Sequence, residues 1–169
     1  MTTPHSGLRH IEFPPLELPD AATTDRLGAV LGLAVQVGDV SCLQGDLGAG
    51  KTALTRAAIS ARLGANVLAE DIPSPTFTLV QTYQADIAIW HADLYRLSDE
   101  EEVWELGLAD AFHDAACFIE WPARLGSQTP ARRLELTLLM AGEGRLLRIV
   151  AFGDGWAHVQ AALENYHAG

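Results

Sequence analysis

The sequence predicts a three-layer α/β fold with a mixed, mostly parallel central sheet. Three observations carry that expectation. The short apolar runs Val40-Ser41-Cys42-Leu43 and Ala116-Cys117-Phe118-Ile119 are consistent with buried strands. Segments of helical spacing are interleaved with the strands, the pattern of an α/β sandwich. Near the end, Leu134 to Met140 and Leu146 to Phe152 flank Ala141-Gly142-Glu143-Gly144 and read as a hairpin, so the sheet is mixed.

In chain order, residues 1–14 are expected to be a flexible tail and residues 15–169 a single domain. Asp20 is an N-cap for a helix over 21–35, with Leu27, Val30, Leu31 and Ala34 at helical spacing. The strand at Val40 follows. Ala53 to Leu63 is rich in helix formers, and Gly64 is its C-terminal stop. Ile72-Pro73-Ser74-Pro75 is a loop, because its prolines fix the backbone and remove donors. Thr76 to Tyr83 alternates as a strand, and Ala85 to His91 reads as another that ends at Asp93. Ser98-Asp99-Glu100-Glu101 opens a short helix through a capping box from Ser98 to Glu101. The strand at Ala116 ends at Glu120, Gly126 to Pro130 is a loop, and a last helix runs from Trp156 to Tyr166.

Composition limits the function. The chain has 169 residues, 49% of them hydrophobic, enough for a real core, and its net charge is −11. Such a surface argues against extensive direct nucleic-acid binding, DNA included, and against docking on anionic membranes. A protein partner that itself carries RNA stays open. Cys42 and Cys117 lie in apolar runs and read as buried free thiols. The start lacks a basic region followed by an apolar one, and no apolar run approaches 18 residues, so a cytoplasmic location is expected.

The chemistry centres on Gly45-Asp46-Leu47-Gly48-Ala49-Gly50-Lys51-Thr52, which fits the phosphate-binding pattern G-x-x-x-x-G-K-S/T. Ten of the eleven basic residues are arginine, and Lys51 is the one lysine. A compact ammonium on a flexible stem suits phosphate oxygens. The glycines permit positive φ and close approach, so that successive N–H groups form an anion nest. The following helix adds its positive dipole end. Lys51 is expected at the β- and γ-phosphates and the Thr52 hydroxyl on Mg²⁺. Two acids complete the site. Glu120 and Asp93 each end a strand, where ligands sit in doubly wound sheets. Glu120 is read as the metal-side carboxylate and Asp93 as the holder of a metal-bound water or of the attacking water, with the roles exchangeable.

Around these, His91, Asp93 and Tyr95 share a strand face, which reads as a cluster fixing the Asp93 carboxylate. Arg96 is expected to pair with an acid. Trp121 could cover the nucleotide, and Arg124, Arg132 and Arg133 are candidates for an arginine contact to the phosphates.

Taken with Ser74-Pro75-Thr76-Phe77-Thr78-Leu79-Val80 and Tyr83, His91-Ala92-Asp93-Leu94-Tyr95-Arg96-Leu97, Glu105-Leu106-Gly107 and Ile119-Glu120-Trp121-Pro122, the loop resembles the TsaE (YjeE) family, over roughly residues 18 to 155. The resemblance implies a P-loop NTPase fold and weak hydrolysis of Mg-ATP. It implies stimulation by TsaB and TsaD, which modify the adenosine next to the anticodon, with tRNA reached only through that complex. It also carries loop roles to Leu47 through Thr52, magnesium roles to Thr52 and Glu120, and an essential acid to Asp93. Thr24 matches a position near the nucleotide, and Ser74 to Val80 resembles a switch-like loop. A GTPase would need an N-K-x-D motif, excluded by the single lysine, and no L-S-G-G-Q signature of transporter ATPases occurs. A small-molecule kinase and a non-catalytic nucleotide-gated module remain the alternatives.

Overall fold

The computed structural model describes residues 7–168. In chain order these form β1 (His10–Glu12), β2 (Leu16–Leu18), α1 (Ala21–Ala34), β3 (Val40–Gln44), α2 (Lys51–Leu63), β4 (Val80–Gln84), β5 (Ala88–Asp93), α3 (Glu100–Glu105), α4 (Leu108–Asp114), β6 (Ala116–Glu120), β7 (Arg133–Ala141), β8 (Gly144–Phe152) and α5 (Ala157–Ala168). Two 3-10 segments, Ala69–Asp71 and Pro122–Gln128, lie between them. The sheet order is β1-β8-β7-β3-β6-β5-β4, with β2 also on β8. Strands β7, β3, β6 and β5 are parallel, while β4 pairs antiparallel with β5, and β8 pairs antiparallel with β1, β2 and β7. The expected mixed, mostly parallel sheet is therefore present.

Alternation along the central strands explains the three layers. Leu43 and Phe118 face α1, α2 and α5, where Leu27, Leu31, Leu54, Ile59 and Val159 close one core. Val40, Cys42, Cys117 and Ile119 face α3 and α4, where Val103, Leu108 and Phe112 close the other. A strand covered on both sides reads as a near-continuous apolar run, as β6 does and as β3 does apart from the buried Ser41. Both cysteines are buried and free, and burial pushes each thiol up to about 12.

Four local expectations change. The flexible tail assigned to residues 1–14 contains a paired strand: His10, Ile11 and Glu12 align with Phe152, Ala151 and Val150. Phe13 N–H donates to the Ile149 carbonyl at 3.0 Å. The outer edge of β8 has main-chain groups that need partners, and this segment supplies them. Residues 1–6 of that tail lie outside the described residues. The strand expected over Thr76 to Tyr83 begins only at Val80. Before it, Leu79 N–H donates to Pro75 O at 2.7 Å and Leu79 takes a φ of 69°, closing a turn that the two prolines initiate. Its partner starts at Ala88 rather than Ala85. The capping box moves by one residue: Asp99 accepts from Glu102 N–H at 2.9 Å and Glu102 reaches back to Ser98 N–H at 2.8 Å. Aspartate caps as well as serine, so the pattern fits either register. By contrast, Asp20 caps α1 where expected, accepting from Thr23 N–H at 2.8 Å. No helix of the described residues is long and apolar enough to cross a membrane.

Candidate functional site: the glycine loop and the carboxyl ends of the strands

Because the central strands are parallel, Gln44, Asp93 and Glu120 emerge along one edge of the sheet. The glycine loop leaves β3 there and turns into α2. Gly48 and Gly50 take φ of 79° and 104°, a left-handed region that side chains resist. Gly45 is required for a second reason: a Cβ on it would lie 2.7 Å from the Leu138 carbonyl oxygen.

Lys51 is only 5% exposed, and its ammonium donates to Gly45 O at 2.6 Å and Asp46 O at 2.8 Å. The Trp121 ring lies 4.3 Å from Nζ and packs on Tyr95 at 4.8 Å between centroids. Burial pulls the lysine below its ordinary value, and the nearby charges of Glu120, Asp93 and Asp46 oppose that. The expected residues thus converge on one cation.

Glu120 bridges the two sides of the site. Its Oε1 accepts from Thr52 Oγ1 at 2.7 Å and its Oε2 lies 2.6 Å from His91 Nε2. Glu120 is 2% exposed and His91 is fully buried. The cluster expected to fix Asp93 is therefore corrected: the histidine braces Glu120. Register explains it, since Asp93 pairs with Glu120 across β5 and β6, and His91 lies on the same face two residues earlier. Asp93 instead accepts from Tyr95 N–H at 3.1 Å and from Thr76 Oγ1 at 3.5 Å. Burial raises its carboxyl above the usual range, the Tyr95 N–H opposes this, and the Glu120 charge reinforces it.

Thr24 joins the loop through a pocket of about 220 Å³ that also touches Asp20, Ala49, Gly50, Ala53 and Arg145. Leu47 stands out into solvent at the loop tip, 67% exposed. The arginine candidates fare differently. Arg132 bonds Asp39 and the carbonyls of Asp154 and Gly155, and Arg133 bonds Glu135 and Pro130 O, both at the amino end of β7 and away from the loop. Arg124 reaches Tyr95 O at 3.5 Å. Arg96, expected to meet an acid, stands 5.7 Å from the Phe77 ring centroid. The arginine that touches the loop is Arg145, which sequence reasoning missed. Its Nε donates to Ala49 O at 3.0 Å and its Nη2 to Gly48 O at 3.1 Å.

Chemically, the edge offers a glycine turn that leads into the amino end of α2, a buried ammonium, and three oxygen groups on Thr52, Glu120 and Asp93. Oxygen donors of this kind suit a hard divalent cation that keeps part of its shell for phosphate and water.

Comparison with known proteins identifies the family. The family model described as "Threonylcarbamoyl adenosine biosynthesis protein TsaE" matches residues 18–147. The chain is 34% identical over 125 residues to the tRNA threonylcarbamoyladenosine biosynthesis protein TsaE of Treponema pallidum, covering 73% of this chain and 90% of that one. It is 39% identical over 120 residues to the Bacillus subtilis protein of the same description, covering 69% and 72%. Among solved structures, the crystal structure of Bacillus subtilis YdiB superposes with a TM-score of 0.69 at 22% identity, covering 96% of this chain and 98% of that one, a likeness of fold.

Proposed function

The chain belongs to the TsaE family of threonylcarbamoyl adenosine biosynthesis, and from that premise we propose that it binds Mg-ATP in the glycine loop and hydrolyses it slowly. The observation that carries this reading is the Thr52–Glu120 contact of 2.7 Å at the mouth of the loop, with Glu120 held from behind by His91. A loop hydroxyl and a strand-end carboxylate side by side are the protein's share of a magnesium–nucleotide site.

The residues divide the work as follows. The Gly48–Thr52 N–H groups and the amino end of α2 receive the phosphates. Lys51 exchanges its two carbonyl partners for β- and γ-phosphate oxygens, an exchange of neutral acceptors for charged ones that strengthens each bond. Thr52 and Glu120 hold the ion, which when bound neutralises charge on the phosphate oxygens. Asp93, aligned with Glu120 on the adjacent strand, orients the attacking water. The raised affinity of its carboxyl for a proton fits a group that accepts one from that water. Thr24 and the pocket beside it take the nucleoside end of the ligand.

The physiological setting is support of tRNA threonylcarbamoyladenosine modification through TsaD and TsaB. The net charge of −11 agrees with indirect rather than direct contact to tRNA. Hydrolysis measured alone, then with TsaB, TsaD and tRNA, and then with a panel of small phosphate acceptors tests the proposal. Stimulation by the protein complex is the expected result. Phosphate transfer to a small acceptor would instead identify a kinase, and nucleotide binding with no turnover under any condition would identify a binding module.

A further inference from the structure

Strand β8 carries a charged residue in a register otherwise reserved for the core. Arg145 shares a strand face with Leu147, Ile149 and Ala151, each at most 1% exposed. Its backbone is fixed on both sides, by Leu18 of β2 and Met140 of β7. The guanidinium spends its donors on main-chain carbonyls. Nε meets Ala49 O at 3.0 Å, Nη2 meets Gly48 O at 3.1 Å, and Nη1 meets Gly144 O at 2.9 Å and Glu143 O at 3.4 Å.

Two of those carbonyls belong to the glycine loop. In a planar trans peptide the C=O and the following N–H point in opposite directions. Holding Ala49 O outward therefore aims the Gly50 N–H inward. Holding Gly48 O sets the Ala49 N–H, which here closes a turn on Asp46 O at 3.0 Å. Gly48 and Gly50 would otherwise be free to rotate, since glycine has no side chain to restrict it. A loop ordered beforehand loses less entropy when an anion arrives. The cation behind the two carbonyls also polarises their peptides toward the anion site.

The geometry points to Arg145 as a positioning residue: a brace, anchored in β8, that holds the Ala49 peptide in the anion-receptive orientation and the Gly48 peptide in the supporting turn on Asp46 O. It rests on the reading of the loop as a nucleotide site. The planar fork fixes the direction of the two donors on Ala49 O and Gly48 O and leaves Nη1 for Gly144 O, whereas a lysine ammonium is a single flexible point donor that cannot span all three.

The test compares the full chain with Arg145→Gln and Arg145→Lys by two measurements. The first is amide hydrogen exchange of the peptide covering residues 45–52 in nucleotide-free protein. The second is ADP affinity by calorimetry with Mg²⁺. Both variants are expected to exchange faster in that segment, with α5 and β6 unchanged, and to bind ADP roughly tenfold more weakly, the effect of one or two charge-assisted hydrogen bonds. Equal exchange and equal affinity in either variant overturns the brace. If Arg145→Gln does not fold, Arg145→Lys decides, because it keeps the charge and the stem and loses only the fork. If the unaltered chain binds no ADP, the nucleotide reading fails while the exchange measurement still decides whether Arg145 orders the loop.

Discussion

The two strand-end acids have different surroundings, and single substitutions separate them. Glu120 is satisfied on both oxygens by Thr52 and His91, whereas Asp93 is buried with weaker support and a like charge beside it. A folded value above the ordinary 3.8 means that ionised Asp93 works against the empty fold. The stability contributed by its protonated form is full below 3.8 and is lost as pH rises through the higher folded value. Asp93→Asn in nucleotide-free, chelator-treated protein should therefore melt at a higher temperature than the parent at pH 7. That advantage should shrink toward pH 4, while turnover falls by orders of magnitude. Melting curves across that range check the stability half, and an unchanged or lowered midpoint at pH 7 contradicts it. Thr52→Ala tests the other arm. It removes a hydroxyl and leaves the loop amides in place, so nucleotide affinity in chelator should hold while the magnesium needed for half-maximal binding rises about tenfold. A titration of Mg²⁺ at fixed ADP reads this directly. The motif pointed to Lys51 and Thr52, and the ends of apolar runs pointed to Asp93 and Glu120. His91 as a brace was not legible, because its partner is set by strand register rather than by spacing along the chain.

At the level of elements, Gly28 and Gly32 on the facing side of α1 let its backbone sit directly against α2. A Cβ at Gly28 would lie 2.7 Å from both Ala57 Cβ and Leu54 O, and one at Gly32 only 2.1 Å from Ala58 O. Alanine favours an isolated helix over glycine by about 1 kcal/mol. At Gly32 the obstacle is backbone, which no rotamer change relieves, and overpacking of this kind costs about 3 kcal/mol or more. Gly32→Ala should thus lose about 2 kcal/mol net in urea unfolding, against the gain expected from propensity alone. The same pair of helices shares a cap. No basic residue occupies the last turn of α1, and Arg62 of α2 supplies one, its Nη1 donating to Gly32, Leu33 and Val35 carbonyls at 3.2, 3.0 and 3.0 Å. The periodicity of Leu27 and Leu31 foretold which face of α1 turns inward, and Asp20 foretold where it starts. The role of Gly28 and Gly32 was not legible, because close approach is a property of two helices and the sequence presents one at a time.

Across the whole molecule the pattern is similar: what depends on neighbours in sequence was readable, and what depends on the sheet was not. The hairpin of β7 and β8, the apolar runs of β3 and β6, and the acids at strand ends pointed to the layers and to the edge of the candidate site. Strand β1 was missed because three exposed residues carry no burial pattern; only the free edge of β8 calls for them. Arg145 was missed, because the loop it touches is 96 residues away in the chain and meets it only across the sheet. One prediction belongs to this scale because the chain has a single lysine, so a measurement on the whole protein reports one site. In the empty protein the Lys51 amine is 5% exposed and held by two carbonyls, while burial lowers its affinity for a proton and leaves more of it in the reactive neutral form. Slow acylation of one side-chain amine is therefore expected, visible as a single added mass besides any at the amino terminus. Bound Mg-ATP should replace the carbonyls with charged oxygens and restore the protonated form. Both changes act in the same direction, so saturating nucleotide should slow labelling at least tenfold, whereas equal rates with and without it would mean that the ammonium never meets the phosphates.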